Sequence, residues 1–405
     1  RHVYQETSFW RNKFHSAGIT PDDVKSLEDL QKIPFCTRSE LEEDQLAHSP
    51  FGSYLAVHPT RLVKYVATSG TTGRPLRRVF TARDWGYVID RFRRSPLVGP
   101  GDITIILGPV DGLMGPTASC DANAAMGSMV VMAGMYDTKV KVRLIQDLRP
   151  QYVSGTASLL LHTAEVAREL GINLPELGTI RALHSVGEPG AGVPATRERL
   201  MRAWGVPVSD GYGLTELFPL GGSCRLSMSL HITPDFAIVE VIDPQSGERV
   251  SPGQPGELVY TNIIGETQPL LRYRSGDIGR LATDEACTCG SSFVRIANGI
   301  EGRADDMVWY KGVNIFPSAV EVVVRKFPQL SHEYLILLDR IGEVQTLTIR
   351  TELASKIDRQ QQDELRRTLT EELKSALRVN ARIELAKPGS LPRTEYKAKR
   401  VVDRR

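Results

Sequence analysis

Thr68-Ser69-Gly70-Thr71-Thr72-Gly73 sets four hydroxyl side chains and two glycines in six positions, after a β-type run and just ahead of Arg74-Pro75. Gly70 and Gly73 lack a Cβ, so the chain can turn tightly there and aim its N–H groups inward. The hydroxyls add donors and acceptors. Such a loop suits a polyphosphate. It is not a Walker loop, because the Gly-x4-Gly-Lys-Ser/Thr spacing does not occur. Alone, the same residues serve equally well as a polar surface turn.

Further stretches follow: Gly187-Glu188-Pro189, Asp210-Gly211-Tyr212-Gly213-Leu214-Thr215-Glu216, Tyr273-Arg274-Ser275-Gly276-Asp277, and Gly302-Arg303-Ala304-Asp305. Gly312-Val313-Asn314 and a basic tail, Pro392-Arg393-Thr394-Glu395-Tyr396-Lys397, complete them. In this order the set resembles the adenylate-forming (acyl-CoA synthetase) superfamily, and within it the phenylacetate-CoA ligase branch. The resemblance runs from about Tyr4 to Arg405. It implies ATP, Mg2+ and coenzyme A as cofactors, and a reaction in which a carboxylate attacks the α-phosphorus of ATP, expels pyrophosphate and is handed on to a thiol.

Both reactants are anions, so the site must neutralise charge and align the attack. The resemblance implies that Thr68, Ser69, Gly70, Thr71, Thr72 and Gly73 grip the β- and γ-phosphates and that Glu216 holds Mg2+. Tyr212 would lie along adenine, with Gly187, Glu188 and Pro189 on its other side and Asp210 and Gly213 beside it. Thr215 falls near the α-phosphate, Asp277 on the ribose hydroxyls, and Arg303 on ribose or phosphate. Lys397 is the catalytic cation. It is chosen over Lys399 by its place in the Arg-Ser/Thr-Glu-Gly-Lys pattern, although Tyr396 stands where that pattern has glycine. Asp305 matches the hinge of a small rotating domain, and Gly312 borders the coenzyme A tunnel.

Cys224, His231, Cys287 and Cys289 form a second group. Three thiolates and an imidazole would close a tetrahedral Zn2+ site with no place for water, so its role would be structural. On spacing alone, reduced turn cysteines serve as well. The resemblance implies structural Zn2+, since phenylacetate-CoA ligase-like chains carry a similar set.

The elements that position these groups are legible in outline. Helix is expected around Thr81–Phe92 and Ser158–Leu170, at Ser26–Leu30 and from Ser39, and buried strand at Ile103–Leu107, Met129–Met132 and Ile180–Val186. Strand and helix in alternation imply a parallel sheet whose carboxyl ends form the ligand crevice. Past about residue 220, strands separated by Pro/Gly turns make a β-rich portion. After Asp305 the order reads β-α-β-β-α-β, with Leu365, Leu369, Leu373 and Leu377 on one helical stripe. The fold class is therefore α/β: a large N-terminal adenylate-forming domain, residues 1–304, and a small mobile α+β C-terminal domain, residues 305–405.

A chain of 405 residues with 41% apolar and 24% charged residues reads as an ordinary soluble enzyme of two or three domains. A formal net charge of +2 gives no broad electrostatic case for nucleic acid. The opening Arg1-His2-Val3-Tyr4 is no signal peptide, the missing initiator Met suggests trimming, and no apolar run nears a bilayer span. No membrane partner and a cytoplasmic location are the expectation. Five cysteines make no disulfide framework, and Cys36 reads as packing. Oligomeric state is left open, with a homodimer as one option.

The acyl pocket is expected between the 107–135 region and Gly187. Phenylacetate ligases carry Gly-x-His-Tyr-Gly there, whereas this chain has Thr117-Ala118-Ser119-Cys120-Asp121-Ala122-Asn123. Small residues leave room for a flat ring. Ser119, Asp121 and Asn123 could bond ring amino or hydroxyl groups, or serve as ordinary helix caps. An aryl acid, a substituted benzoate or an arylacetate, is the expected substrate, with coenzyme A as acceptor. A carrier-protein thiol or an amine is the alternative acceptor. A zinc-knuckle nucleic acid binder is the rival of another class, with just Arg295 and Phe293 near its turn.

Overall fold

Helices α1 (His2–Glu6), α2 (Ser8–Ser16) and α3 (Arg38–Ala47) lead the chain, joined by 3-10 turns. The computed structural model describes residues 1–68, 75–94, 97–304, 308–310, 313–341, 344–392 and 400–405. A capping box starts α3: the Thr37 hydroxyl accepts from the Glu40 N–H, and the Glu40 carboxylate accepts from the Thr37 N–H. The helix expected at Ser26–Leu30 is a 3-10 turn, Glu28–Lys32, because Asp29 Oδ2 accepts from the Lys25 and Ser26 N–H groups and holds the entry in a tight turn.

Strands β1 (Leu62–Ala67) and β2 (Arg77–Thr81) pair antiparallel on either side of the hydroxyl-rich loop, and Thr81 caps α4 (Ala82–Arg93). Next come β3 (Ile103–Ile106), α5 (Met114–Ala125), β4 (Met129–Met132), α6 (Thr138–Leu148) and β5 (Tyr152–Gly155). They are followed by α7 (Ala157–Glu169), β6 (Ala182–Val186), α8 (Pro194–Trp204) and β7 (Val208–Gly213). Then β8 (Pro219–Ser223), β9 (Leu230–Ile232), β10 (Ala237–Ile242), β11 (Gly256–Asn262), β12 (Tyr273–Gly279), β13 (Arg295–Ile296) and β14 (Gly302–Arg303) complete the first 304 residues.

The alternating region forms the parallel part of an eight-stranded sheet, β4-β3-β5-β6-β7, which continues antiparallel through β8, β9 and β13. One face buries Ile105, Val153, Leu183 and Val208 against Leu160, Val166, Leu200 and Trp204 of α7 and α8. β4 corrects an expectation. It is the sheet's edge strand, and Met129 and Met132 are exposed rather than buried, because among the described residues nothing pairs beyond it. The β-rich portion is a separate antiparallel sheet, β10-β11-β12-β14.

Past residue 307 the elements are β15 (Val308–Tyr310), β16 (Val313–Ile315), α9 (Pro317–Arg325), β17 (Leu330–Ile341), β18 (Val344–Leu353), α10 (Arg359–Leu377), β19 (Arg382–Ala386) and β20 (Val401–Asp403). They build a sheet, β19-β18-β17-β20, with its own core, in which the four leucines of α10 are all buried. The expected order is present, but its first strand lies outside the sheet, paired with β16. The edge beside β17 is taken by β20, three residues too short to show periodicity. Arg199 on α8 donates to the Phe327 and Leu330 carbonyls at 2.9 and 3.1 Å, and so joins the two parts. No helix of the described residues is long and apolar enough to cross a membrane.

Candidate active site

β12 and β14 pair Asp277 with Arg303 in register, and Arg303 Nη1 donates to Asp277 Oδ1 at 2.8 Å. The other carboxylate oxygen accepts from the Tyr212 hydroxyl at 2.8 Å, and the Tyr260 hydroxyl donates to that of Tyr212 at 3.1 Å. The strand arrives in this pose because Gly276 adopts φ +75°, a left-handed conformation that glycine takes without strain. Asp277 is 5% exposed and sits within a strand. Burial, then the Asp277 carboxylate, holds the Tyr212 hydroxyl well above its ordinary pKa, so it stays a donor. Tyr212, Asp277 and Arg303 are thus brought together from three strands. Tyr260 joins them unannounced, since a Tyr in a β-run reads as core.

Thr68 closes the base of the hydroxyl-rich loop. Its N–H donates to the Leu76 carbonyl at 3.1 Å, and its Oγ1 accepts from the Leu76 N–H at 3.0 Å. Arg38 Nη2 donates to the same Oγ1 at 3.2 Å, while Arg38 Nη1 lies 3.9 Å from Glu216 Oε1. Glu42, one turn along α3, steadies the guanidinium with a 2.7 Å bond to Nε. The loop's base and the buried Glu216 are therefore one guanidinium apart. Arg38 is invisible in the sequence, because an Arg four residues before a Glu on a helix reads as a surface pair. Gly213 makes the turn into Glu216 possible: a Cβ there would stand 2.7 Å from Pro219 Cα and 2.8 Å from the Phe218 carbonyl. Ser69, Gly70, Thr71, Thr72, Gly73, Asp305, Gly312 and Lys397 lie outside the described residues.

Gly187-Glu188-Pro189 follow β6 directly. The Glu188 carboxylate accepts from the Ser158 N–H at 2.5 Å, at the N-terminal turn of α7, where the helix dipole favours an anion. Burial raises its pKa and the Ser158 N–H opposes the rise. Asp210 is different. It is buried, and among the described residues its Oδ1 has no hydrogen-bond partner, nor does the Oγ of its cross-strand neighbour Ser185 on the same face. Burial pushes Asp210 well above the usual carboxylate range despite Arg197. Unmet buried acceptors of this kind invite a ligand's donor.

On α5, Ser119 and Asn123 share a face and bond each other, Asn123 Nδ2 to Ser119 Oγ at 3.2 Å. Asp121 does not join them. Two residues on is about 200° round the helix, and its Oδ2 accepts from Trp85 Nε1 at 2.8 Å and pairs with Lys64 Nζ at 2.5 Å. Asp121 is thus tied to the β1–α4 side, away from the face that Ser119 and Asn123 share.

Cys224 Sγ lies 3.9 Å from Cys287 Sγ, and Cys289 Sγ lies 4.0 Å from His231 Nε2. All four donor atoms lie within 4.8 Å of one another, the spread expected of ligands about one tetrahedral ion. The Cys289 backbone N–H, against some burial, draws the Cys287 thiol down to about 6, which favours the thiolate a metal needs. Cys36, by contrast, is fully buried beside Tyr273 and its thiol is pushed up by burial.

Comparison with known proteins decides the family. The model of the AMP-binding enzyme family matches residues 17–263, and that of the AMP-binding enzyme C-terminal domain matches residues 312–405. The chain belongs to the AMP-binding, adenylate-forming enzymes. It is 32% identical to a phenylacetate-coenzyme A ligase of Aromatoleum evansii over 100% of this chain and 92% of the relative. It is 30% identical to that of Escherichia coli (strain K12), over 100% and 92%. The solved 2-hydroxyisobutyryl-CoA ligase in its postadenylation state, in complex with R3-HIB-AMP, superposes with a TM-score of 0.92 at 30% identity, covering 100% of this chain and 87% of that one. In its thioesterification state the same ligase gives 0.72, covering 99% and 86%. The present arrangement is therefore closer to the postadenylation form. This adenylate-forming enzyme is an ATP-dependent acid–CoA ligase that works through an acyl-AMP intermediate. Coenzyme A is its acceptor.

Proposed function

We propose that this ligase activates an aryl carboxylic acid, a substituted benzoate or an arylacetate, and delivers it to coenzyme A. The observation that carries the nucleotide half is the Tyr212–Asp277–Arg303 cluster. Asp277 offers its carboxylate to the ribose hydroxyls, with Arg303 and Tyr212 fixing its orientation. Asp210 Oδ1 is the natural acceptor for the exocyclic amine of adenine. Thr68 to Gly73 hold the β- and γ-phosphates, with Thr215 at the α-phosphate. Arg38 holds the base of that loop against Glu216. Lys397 approaches from the C-terminal part, residues 305–405, which turns at Asp305 about residues 1–304 and brings Gly312 to the coenzyme A channel. Glu216 suits Mg2+, which takes one or two carboxylates plus phosphates and, when bound, screens their charge. Cys224, His231, Cys287 and Cys289 suit a structural Zn2+ that clips the 287–289 turn to β9 and the end of β8. We place the enzyme in the cytoplasm, with a homodimer as the assembly to be weighed by sedimentation.

The aryl choice is supported by the phenylacetate-CoA ligase relatives. A second reading, a short 2-hydroxy acid, is supported by the 0.92 superposition on 2-hydroxyisobutyryl-CoA ligase. Incubation with ATP, coenzyme A and a panel of acids, read by mass spectrometry of the thioester, separates them. Turnover of an aryl acid is the expected result. Turnover of 2-hydroxyisobutyrate or a fatty acid alone would overturn it.

A further inference from the structure

Arg91, on α4, turns its guanidinium toward the sheet. Its Nε is buried and has no hydrogen-bond partner among the described residues. Among the described residues, Arg94, of like sign, and the Tyr152 hydroxyl act on its charge. Burial, then Arg94, draws its pKa down to about 10. A buried guanidinium N–H without an acceptor is costly, so something is expected to meet it.

His184, on β6, is the neighbour that completes the feature. Its ring lies against Gly211 of β7, where a Cβ would stand 2.5 Å from Nε2 and from Cε1. His184 Nδ1 is 3.0 Å from Ser209 Oγ, and the Ser209 hydroxyl donates to the Leu183 carbonyl at 3.2 Å. The Ser209 proton is thus engaged, so the hydrogen-bond network assigns the imidazole proton to Nδ1 and leaves Nε2 a bare acceptor. Burial, then the Arg91 cation, draws the His184 pKa down to about 4 and keeps the ring neutral. Gly222, opposite Gly211 across β7 and β8, removes a second side chain, and a Cβ there would come within 3.9 Å of Arg91 Nη2.

A cationic donor and a bare acceptor on one glycine-lined wall are the complement of a hydroxyl, which accepts one hydrogen bond and gives another. A carboxylate would satisfy Arg91 but meet the His184 lone pair. An amine would satisfy His184 but meet the cation. We propose that Arg91 and His184 form the subsite for a ring hydroxyl, so that the acid is a hydroxyaryl carboxylate. The subsite rests on the aryl-acid reading above, and it takes ring recognition away from Asp121.

The test measures pyrophosphate release with benzoate, 3- and 4-hydroxybenzoate, 4-aminobenzoate, terephthalate, phenylacetate and 4-hydroxyphenylacetate. In the wild type, a hydroxylated acid is expected to exceed its unsubstituted parent by on the order of 10²-fold or more in kcat/KM, as for a site built to bond a substrate hydroxyl. Arg91→Met is expected to bring that ratio close to one, and Arg91→Lys to restore part of it. A parent acid as good as its hydroxylated form, or a preference for terephthalate or 4-aminobenzoate, overturns the subsite and leaves the aryl-acid reading standing. No pyrophosphate with any aryl acid overturns both. The wild-type panel decides the matter even where a variant fails to fold.

Discussion

Arg38 Nη1 stands 3.9 Å from Glu216 Oε1, and its other amino group bonds Thr68 at the neck of the hydroxyl-rich loop. A residue from the N-terminal helices thereby joins two parts of the proposed nucleotide site, and the 3.9 Å contact leaves room for the proposed Mg2+ at Glu216. Arg38→Met should lower kcat/KM for ATP about 10- to 10²-fold, as expected for one lost charged contact of a few kcal/mol. It should also raise the Mg2+ concentration for half-maximal rate. Steady-state kinetics at varied ATP and Mg2+ check this, and unchanged constants would count against the link.

Asp277 carries the ribose in this account. Asp277→Ala removes the acceptor and the partner of Arg303 Nη1. A rise in KM for ATP of about 10²-fold is expected. The same substitution should cost much less with a dideoxy nucleotide that lacks both ribose hydroxyls. An equal penalty with ATP and the dideoxy analogue would point to a role in packing alone. Tyr212→Phe, which removes one hydrogen bond, should cost about tenfold or less.

Tyr212, Asp277 and Arg303 are singled out by the resemblance of the stretches that carry them, and the fold brings the three side chains together. Arg38, Tyr260 and Arg91 are not singled out, since each looks like an ordinary helix or strand residue until the fold sets it against its partner. Asp121 looked like a pocket residue because composition does not record which side of a helix a side chain takes. Met129 and Met132 looked buried because an apolar run does not reveal that a strand is the last in its sheet.

His332 on β17 reaches across to α7: its Nδ1 lies 3.2 Å from Glu165 Oε1, and its Nε2 3.1 Å from Glu333 Oε1. Burial works against the charge, but bonds to Glu165 and Glu333 outweigh it and raise the His332 pKa. Arg400 also pairs with Glu333, and His162 lies 3.9 Å from Glu165. Protonated His332 therefore stabilises the folded enzyme fully below its unfolded pKa of about 6.5. That contribution fades as pH rises through the raised folded value. His332→Ala should lower Tm at pH 6 and make progressively less difference at higher pH. Melting curves of both proteins across that range test it, and a gap that stays constant or widens would contradict it.

Zinc should co-purify at about one ion per chain under chelator-free conditions, and Cys289→Ser should reduce it sharply. Removal by a strong chelator should lower Tm, because the ion ties two segments together that are far apart in sequence. Elemental analysis with calorimetry before and after chelation checks both. Zinc-free protein of unchanged Tm would exclude a structural ion.

The central claim is that the hydroxyl-rich turn and Lys397 act on the same nucleotide, and it is tested most directly by separating the two half-reactions in Lys397→Ala. Acid-dependent exchange of pyrophosphate into ATP is predicted to fall on the order of 10²–10³-fold. Thioester formation from a synthetic acyl-AMP and coenzyme A is predicted to persist. Exchange at the wild-type rate in that variant would contradict the account.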